Sequence, residues 1–321
     1  MMRAGIIGAG AIAFDAGKLG LPMTHAKSYA NLVDDVSLVA FVEPDSHQRD
    51  LVLAQFPDLV PYISLDAMLS GERLDVVSIC SPDTMHEAAL LSLVESSVKG
   101  VWCEKPLALT AQGAKAVARK ARVRGVSIQV NYWRRFIPEI QSLANAVRKG
   151  NFGSFLKGSG IYSETYMHNG CHLFDVIELF LGQFRPKIVK GGEALNAQGD
   201  GAVLVVGEAG GADVVCAGIP RKPYNIFELD MFFEEARIRL AENGRRVEIS
   251  RHDQDAAFSH LRLLAPEPEV TVCDWRHSFD HALADLLECI RSGADTKSGP
   301  GPSVVCAGTL DRVAELLVAS R

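Results

Sequence analysis

The sequence predicts an α/β protein whose N-terminal part is a doubly wound parallel sheet. Short runs rich in valine and isoleucine alternate with helical segments over residues 3–130. These runs are apolar on both faces, as strands covered by helices on each side must be. Repeated strand–helix units of this kind place ligands at the carboxyl ends of the strands.

The predicted elements follow one another along the chain. Strands are expected at 3–8, 36–43, 74–80, 100–104 and 126–130, with helices near 24–33, 45–56, 84–97 and 110–124. Further strand-like runs lie at 153–163, 185–191, 202–207, 212–219 and 225–240, and amphipathic helices at 276–291 and 303–319. This change of pattern predicts a nucleotide-binding domain at 1–130 and a second domain at 131–321.

Composition and charge exclude several classes of protein. The 321 residues are 48% hydrophobic, which is enough for two domains with separate cores. A net charge of −6 argues against a nucleic-acid surface, because phosphate binding needs clustered lysine and arginine. No apolar run reaches the roughly 20 residues of a membrane span. The seven cysteines form no CxxC pair, which fits reduced thiols, and we expect a cytoplasmic protein.

A glycine-rich turn follows the first strand. The segment "GAGAIA", residues 8–13, has the pattern G-x-G-x-x-A. Gly8 permits a tight turn, and Gly10 lets the backbone approach a pyrophosphate. The free N–H groups of the helix start, at Ala11 and Ile12, can then face the phosphates. The turn predicts a bound dinucleotide, although glycine turns also occur for steric reasons alone.

An acidic residue at the end of the second strand indicates which dinucleotide is bound. Glu43 can accept hydrogen bonds from the adenosine ribose hydroxyls and would repel a 2′-phosphate, so NAD is favoured over NADP. A solvated strand end is the alternative, and Arg49 lies too far along the chain to predict a phosphate contact. Glu43 lies farther past the glycines than the usual spacing of about 20 residues. We therefore interpret 14–23 as an inserted, mobile loop near the cofactor, Thr24 as a helix N-cap and His25 as a surface or cap residue.

Two more motifs follow strands of the same sheet. The segment "SICSPDTMHEAAL" continues from a strand end into a helix, and "VWCEKPLALT" begins in the fourth strand. Their candidate residues are Ser81, Pro82 and His86 in the first motif and Glu104 and Lys105 in the second.

Together with the glycine turn, these motifs resemble the Gfo/Idh/MocA oxidoreductases, the family of glucose–fructose oxidoreductase and inositol dehydrogenase. The resemblance continues through "NYWRRFIP" and "GCHLFDVIELFLG" to the final helices, so it covers nearly the whole chain. It implies a Rossmann NAD-binding domain followed by an α/β domain with an open, mostly antiparallel sheet. That sheet often forms a subunit interface in the family, so a homodimer or homotetramer is expected. The resemblance also implies cofactor contacts from Ser81, Pro82, His86, Glu104 and Lys105.

The segment "HNGCH", residues 168–172, allows three interpretations: a metal site, acid–base chemistry or a helix start. A zinc site needs a third and usually a fourth ligand, and no HExxH or paired-cysteine pattern supplies them. Asn169 and Gly170 prefer turns to helix interiors. We therefore expect no metal.

The family pattern D-x-G-x-H-x-x-D assigns roles within this segment. It aligns His172 with the family's acid–base histidine and Asp175 with its helix aspartate, and it puts His168 where an aspartate is usual. The resemblance therefore implies that His172 moves the hydroxyl proton while Lys105 stabilises the alkoxide. Asp175 would orient His172 or hold a sugar hydroxyl. His168 would be either catalytic or a substrate contact.

The remaining pocket candidates are aromatic or cationic. Aromatic rings stack on sugars, and arginines can hold a phosphate or carboxylate. The candidates are Tyr132, Trp133, Arg134, Arg135, Tyr162 and Tyr166, together with His168 and Asp175. Tyr132 and Trp133 would equally fit a hydrophobic core.

The expected reaction is hydride transfer between NAD and a secondary hydroxyl or keto group of a sugar or nucleotide sugar. The "THAKSY" and "HNGCH" variants resemble family members of polysaccharide and nucleotide-sugar pathways. Two alternatives remain open: a dinucleotide-binding regulatory protein without catalysis, and a reductase of a non-sugar substrate.

Overall fold

The computed structural model describes residues 1–15, 19–191, 200–220, 224–254, 258 and 260–320. The chain divides into two compact units, Met1–Phe136 with Arg276–Ala307 and Ile137–Trp275 with Gly308–Arg321. The chain therefore returns to the first unit after completing the second sheet. The predicted division into 1–130 and 131–321 does not include this return, and it stays a prediction.

The first unit contains a six-stranded sheet in the order β3-β2-β1-β4-β5-β6, and every neighbouring pair is parallel. The strands are β1 (Met2–Ile7), β2 (Val36–Val42), β3 (Val60–Tyr62), β4 (Val76–Ile79), β5 (Gly100–Cys103) and β6 (Ser127–Val130). The predicted doubly wound sheet is confirmed. Five of its strands match predicted runs; β3 does not, because a three-residue edge strand with a central proline carries almost no pattern.

Four of the described helices begin after a residue whose side chain caps the first turn. The described helices are α1 (Ala11–Phe14), α2 (His25–Asn31), α3 (Ser46–Leu53), α4 (Leu65–Gly71), α5 (Asp83–Glu95), α6 (Ala111–Arg124), α7 (Pro138–Arg148), α8 (Cys171–Leu181), α9 (Ser278–Ser292) and α10 (Pro300–Ala319). Side chains of Thr24, Asp45, Ser64 and Thr110 accept the capping N–H bonds of α2, α3, α4 and α6. The predicted N-cap at Thr24 is confirmed.

The core of the first unit explains why α9 belongs to it. Phe279, Leu283 and Leu286 of α9 are at most 2% exposed and lie in one apolar cluster with Ile6 of β1 and Trp102 of β5. These large apolar side chains are buried because α9 packs on this face of the parallel sheet, and their burial stabilises the first unit.

The second unit is built on a nine-stranded sheet in the order β14-β13-β12-β11-β7-β10-β9-β8, with β15 paired to β13. The strands are β7 (Phe155–Ser163), β8 (Arg185–Gly191), β9 (Val203–Ala209), β10 (Ala212–Ile219), β11 (Phe227–Phe233), β12 (Ala236–Ala241), β13 (Arg246–Gln254), β14 (Arg262–Leu264) and β15 (Glu269–Val272). Among the strands that the structure describes, β7 and β10 alone pair in parallel, so the mostly antiparallel sheet is confirmed. The single run predicted at 225–240 is a hairpin of β11 and β12, because two adjacent glutamates interrupt it.

A glycine sets how closely α8 approaches this sheet. A Cβ atom added at Gly160 of β7 would lie 2.8 Å from the side chain of Leu173 in α8. The missing side chain lets the helix that follows "HNGCH" pack directly on the sheet. No helix in the described part of the chain is long and apolar enough to cross a membrane.

Candidate functional site

The two glycines of the first turn differ in what surrounds them. Gly8 has φ +92°, and a Cβ atom added there would lie 2.8 Å from the carbonyl oxygen of Cys80. Gly10 has an ordinary φ of −66°, and an added Cβ would meet no atom within 4 Å. No side chain caps the first turn of α1. The protein itself therefore requires a glycine at position 8, whereas position 10 borders open space that a ligand can fill.

Glu43 lies at the end of β2, beside this glycine turn. Its Oε2 accepts a hydrogen bond from the Ala9 N–H, and its Oε1 accepts one from the Asp45 N–H, each at 3.0 Å. Each carboxylate oxygen keeps a second lone pair for a ribose hydroxyl. The acid therefore lies beside the glycine turn and can accept further hydrogen bonds, and its predicted ribose contact stays a prediction.

Arg49 lies at the same strand end, although the sequence pattern assigned it no contact. Its Nη1 donates to the carbonyl oxygens of Glu43, at 2.8 Å, and Pro44, at 2.7 Å. The guanidinium reaches back because Arg49 is in α3, which begins directly after this strand end. The distance in sequence between Arg49 and Glu43 is therefore a poor guide to their distance in space, because a long side chain in the first helical turn can reach the residues just before the helix.

The end of β4 supplies another contact suited to a dinucleotide. The Ser81 Oγ is buried and has no hydrogen-bond partner among the described residues. A buried hydroxyl is normally satisfied, so this atom is able to bond to a polar ligand that reaches the glycine turn. Pro82 precedes the first turn of α5 and is exposed. The open space at Gly10, the carboxylate of Glu43 and the Ser81 hydroxyl together fit NAD.

His86 lies under this turn and holds two loops together. It is fully buried, with Nδ1 2.7 Å from the carbonyl oxygen of Pro106 and Nε2 2.9 Å from that of Ser81. Both ring nitrogens face main-chain atoms of the protein. The predicted cofactor contact of His86 therefore stays a prediction, and the structure shows a residue that fixes the loops carrying Ser81 and Lys105.

Glu104 and Lys105 follow β5 at the carboxyl edge of the sheet. The Glu104 carboxylate accepts hydrogen bonds from the Asn131 side chain, at 2.5 Å, and from Nε2 of His25, at 3.1 Å. Burial alone would raise the pKa of Glu104, but the bonds from His25 and Asn131 and the nearby Lys105 ammonium lower it below its usual value. Glu104 is therefore an ionised neighbour of Lys105.

The interpretation of His25 as a surface or cap residue is wrong. His25 is fully buried, and its ring centroid lies 3.8 Å from that of Trp102. A position directly after a helix N-cap is usually exposed, but here the first turn of α2 is covered by the apolar cluster of the first unit.

The residues after β6 form a short 3-10 turn, Trp133–Phe136. Tyr132 is 2% exposed, and its hydroxyl lies 3.4 Å from the Cys306 sulfur, so it is a core residue, as the alternative interpretation allowed. The Arg134 guanidinium carbon lies 4.2 Å from the centroid of the Trp133 ring, a cation–π contact. Arg135 is 5% exposed. Substrate contacts of Trp133, Arg134 and Arg135 stay predictions.

In the second unit, "HNGCH" is a helix start. A π-helical turn, Tyr166–Gly170, leads directly into α8, and the Thr165 side chain caps this turn by accepting the His168 N–H. Cys171 is buried, and its sulfur donates to the His168 carbonyl oxygen at 3.2 Å. The described residues contain no group of three or more His, Cys, Asp or Glu side chains arranged to hold a metal ion.

The two histidines of this segment have different surroundings. His172, in the first turn of α8, is 9% exposed, and Asp175, one turn further on, is 1% exposed. The side chain of His168 is 62% exposed, and its Nε2 lies 3.5 Å from Oε2 of Glu164. A carboxylate therefore lies beside position 168 even though the usual aspartate is absent from it. The sequence motif contains no signal for Glu164, because this residue lies outside the pattern.

The two tyrosines assigned to the pocket lie in the core of the second unit. Tyr162 is fully buried, and its hydroxyl donates to the Val203 carbonyl oxygen at 3.1 Å. Tyr166 is 5% exposed. Burial raises the pKa of both hydroxyls, which stay protonated. Tyr162 and Tyr166 are thus packed in the core of the second unit, and their predicted substrate contacts stay predictions.

Comparisons with known proteins agree with this geometry. Residues 2–132 match the model of an oxidoreductase family with an NAD-binding Rossmann fold, Gfo/Idh/MocA. Inositol 2-dehydrogenase of Corynebacterium glutamicum is 26% identical over 56% of this chain and 54% of its own length. D-glucoside 3-dehydrogenase of Escherichia coli is 27% identical over 54% of this chain and 50% of its own. The matched part of the chain thus spans about half the length of these curated relatives.

A solved structure extends the similarity of fold to the second unit. The WlbA dehydrogenase of Bordetella pertussis, determined with NADH and UDP-GlcNAcA, superposes with a TM-score of 0.82 over 100% of this chain and 96% of its own, at 15% identity.

The Rossmann sheet, the glycine turn and the acid at the end of β2 are the features of an NAD-binding Rossmann domain. Residues 2–132 of the chain are similar to the Gfo/Idh/MocA oxidoreductase family.

Proposed function

We propose that this protein is an NAD-dependent dehydrogenase or reductase that acts on a secondary hydroxyl or keto group of a sugar or nucleotide sugar. The observation that carries the proposal is the placement of Lys105, next to the ionised Glu104, at the same edge of the sheet as the glycine turn. The relatives named for inositol and D-glucoside support a polyhydroxylated ring as the substrate. The structure with UDP-GlcNAcA supports the fold alone, so a nucleotide sugar is the second substrate class to test.

The cofactor would be held by main-chain and side-chain groups of the first unit. Bound NAD supplies the hydride acceptor or, when reduced, the hydride. The residues proposed to hold it are Gly8, Gly10, Ala11, Ile12, Glu43, Ser81 and Pro82, with His86 and Glu104 fixing the loops. Glu43 excludes a 2′-phosphate by charge, and we propose NAD over NADP on that ground.

Two side chains are proposed to handle the charge and the proton of the reacting hydroxyl group. The Lys105 ammonium stabilises negative charge on the alkoxide oxygen. The His172 imidazole takes up the hydroxyl proton in oxidation and returns it in reduction. Asp175 orients His172 or holds a ring hydroxyl, and His168, Trp133, Arg134 and Arg135 complete the proposed substrate contacts.

We further propose a homodimer or homotetramer that forms through the open face of the nine-stranded sheet. Ile161, Leu204 and Ile188 are 40%, 37% and 53% exposed, and the strand register places them on one face of β7, β9 and β8. An exposed apolar face of this kind indicates a protein contact. Sedimentation analysis tests the proposal: Ile161→Glu should shift the protein toward monomer, and a monomeric wild type would contradict it.

Turnover with a panel of substrates tests the function. The purified protein is incubated with NAD or NADH and with inositols, glucosides or nucleotide sugars or the corresponding ketones, and absorbance of NADH is followed. Hydride transfer with one class identifies the substrate. NAD binding without turnover across the panel would favour the regulatory alternative.

A further inference from the structure

A buried chain of hydrogen bonds in the first unit ends at the candidate active site. The Tyr29 hydroxyl lies 2.8 Å from the Ser78 hydroxyl, and the Ser78 hydroxyl lies 3.0 Å from Nδ1 of His25. Nε2 of His25 lies 3.1 Å from Oε1 of Glu104. Tyr29, Ser78 and His25 are at most 2% exposed, so water does not compete for these bonds. The roles assigned above use Glu104 but give no role to Tyr29, Ser78 or His25.

The carboxylate at one end fixes the direction of the bond that it accepts. An ionised carboxylate only accepts, so Nε2 of His25 must donate to Glu104. The Ser78 hydroxyl can both accept and donate, so it can bond to Nδ1 of His25 and to the Tyr29 hydroxyl together. The chain therefore holds the His25 ring at both of its nitrogens. The ring is also held by its stacking on Trp102.

The Glu104–Lys105–Pro106 turn is held from two sides. On one side, His25 and Asn131 donate to the carboxylate of Glu104. On the other side, Nδ1 of His86 lies 2.7 Å from the carbonyl oxygen of Pro106. Lys105 lies between these two attachments, and its ammonium interacts with the Glu104 carboxylate.

We infer that His25 is a positioning residue for Lys105, acting by holding the Glu104 carboxylate as a fixed, oriented charge beside the lysine. The inference rests on the proposed function, because that function makes Lys105 part of the chemistry. Without the Nε2 donor, burial of the carboxylate is less well offset, so the pKa of Glu104 rises and its negative charge beside Lys105 is less firmly held. The other titratable groups facing Glu104 are the thiols of Cys80 and Cys103, and burial raises the pKa of both.

Two amide variants separate positioning from packing. The amide nitrogen of His25→Gln can take the place of Nε2 and donate to Glu104, whereas His25→Asn reaches only the position of Nδ1, next to Ser78. We expect His25→Asn to lower kcat by about tenfold or more, with KM and NAD affinity within about twofold of wild type. His25→Gln should retain most of kcat. A role in packing alone predicts equal losses in both variants, and equal losses or unchanged kcat in both would overturn the inference.

A second measurement does not depend on turnover. Carbon-13 NMR of protein labelled at the glutamate carboxyl carbon follows the titration of Glu104, whose signal is identified by its loss in Glu104→Gln. The midpoint should rise in His25→Asn, rise less in His25→Gln, and rise in Ser78→Ala, which leaves the ring in place but frees its tautomer. The same midpoint in all variants would overturn the inference even if one variant folds poorly.

Lys105→Ala separates a failure of the proposed function from a failure of the positioning role of His25. If Lys105→Ala keeps normal kcat, the proposed function has assigned this residue wrongly, and the inference falls with it. If Lys105→Ala is inactive while both His25 variants behave as wild type in kcat and in titration, only the inference is overturned.

Discussion

Alanine at positions 8 and 10 should separate a glycine that the protein needs from a glycine that the ligand needs. At Gly8, alanine meets φ +92°, a conformation that costs an L-residue about 1–3 kcal/mol. Its Cβ would also lie 2.8 Å from the Cys80 carbonyl oxygen, a main-chain atom that cannot rotate away. We therefore expect Gly8→Ala to lower the free energy of unfolding by about 2 kcal/mol or more.

Gly10→Ala should leave the stability of the protein nearly unchanged but weaken the binding of NADH. Its φ of −66° suits alanine, and the added Cβ meets no atom within 4 Å, so we expect a change in unfolding free energy within about 0.5 kcal/mol. The same Cβ would occupy space next to the uncapped start of α1, where the pyrophosphate approaches the backbone. The Kd for NADH should rise by at least about tenfold, which corresponds to about 1.4 kcal/mol.

Thermal denaturation without cofactor and fluorescence titration with NADH measure the two effects separately. Gly8→Ala should melt at a lower temperature, and Gly10→Ala should melt like wild type but bind NADH weakly. An unchanged Kd in Gly10→Ala would refute the assignment of this space to the cofactor. Equal destabilisation by both variants would refute the distinction between the two glycines.

Three further predictions concern the cofactor, the chemistry and the effect of pH. Wild type should bind NAD(H) at least about tenfold more tightly than NADP(H), because Glu43 repels the 2′-phosphate. Glu43→Ala should reduce the ratio of the NADP(H) Kd to the NAD(H) Kd, since the Arg49 guanidinium remains beside the site. Equal Kd values for the two cofactors in wild type would contradict the assignment of Glu43. Lys105→Ala and His172→Ala should each lower kcat by about two to four orders of magnitude with little change in NAD binding, and near-normal turnover in either variant would reject the role of that residue. The lowered pKa of Glu104 should stabilise the folded protein above the unfolded-state pKa of about 4.3, a gain that is lost as pH falls through the folded-state value. The melting temperature of wild type relative to Glu104→Gln should therefore fall on acidification, and a constant difference would contradict this.

The parallel sheet of the first unit could be predicted because its strands are buried on both faces. Continuous apolar runs in β1, β2 and β4 follow directly from that burial. The missed elements carry little such signal. Strand β3 has three residues and a proline, and α4 spans seven residues with one fully buried side chain, Met68. Short elements at a sheet edge depend on their neighbours more than on their own pattern.

The far edge of the second sheet was not predicted for a related reason. Strand β13 has charged residues through most of its length, and β14 and β15 are exposed throughout. Ion pairs across neighbouring strands replace apolar contacts in this region, as where Arg239 of β12 pairs with Glu228 of β11 and with Glu248 of β13. A polarity pattern within one strand cannot show a partner that lies on another strand.

Site residues follow the same division between local and long-range signals. The glycine turn, Glu43 and Lys105 belong to compact motifs whose spacing the backbone geometry dictates. The contact between His25 and Glu104 joins residues 79 positions apart, and only the order of strands in the sheet brings them together. The insertion at 14–23 lies partly outside the described residues. Within the described part, the Asp15 carboxylate accepts hydrogen bonds from the N–H groups of residues 19–21. The polarity pattern of the sequence does not predict these bonds.

The departure from the family pattern at His168 gains a different meaning once the fold is known. Taken from the motif alone, a histidine in place of aspartate removes a negative charge near the proposed acid–base residue, which favours a regulatory protein without catalysis. Glu164 lies four residues earlier, with a φ of +69°, and its carboxylate is 3.5 Å from the His168 ring. A positive φ turns the chain sharply, so a residue outside the motif can reach the position that the motif leaves uncharged. Glu164 thus places a carboxylate beside position 168, so the histidine at this position does not by itself indicate lost chemistry.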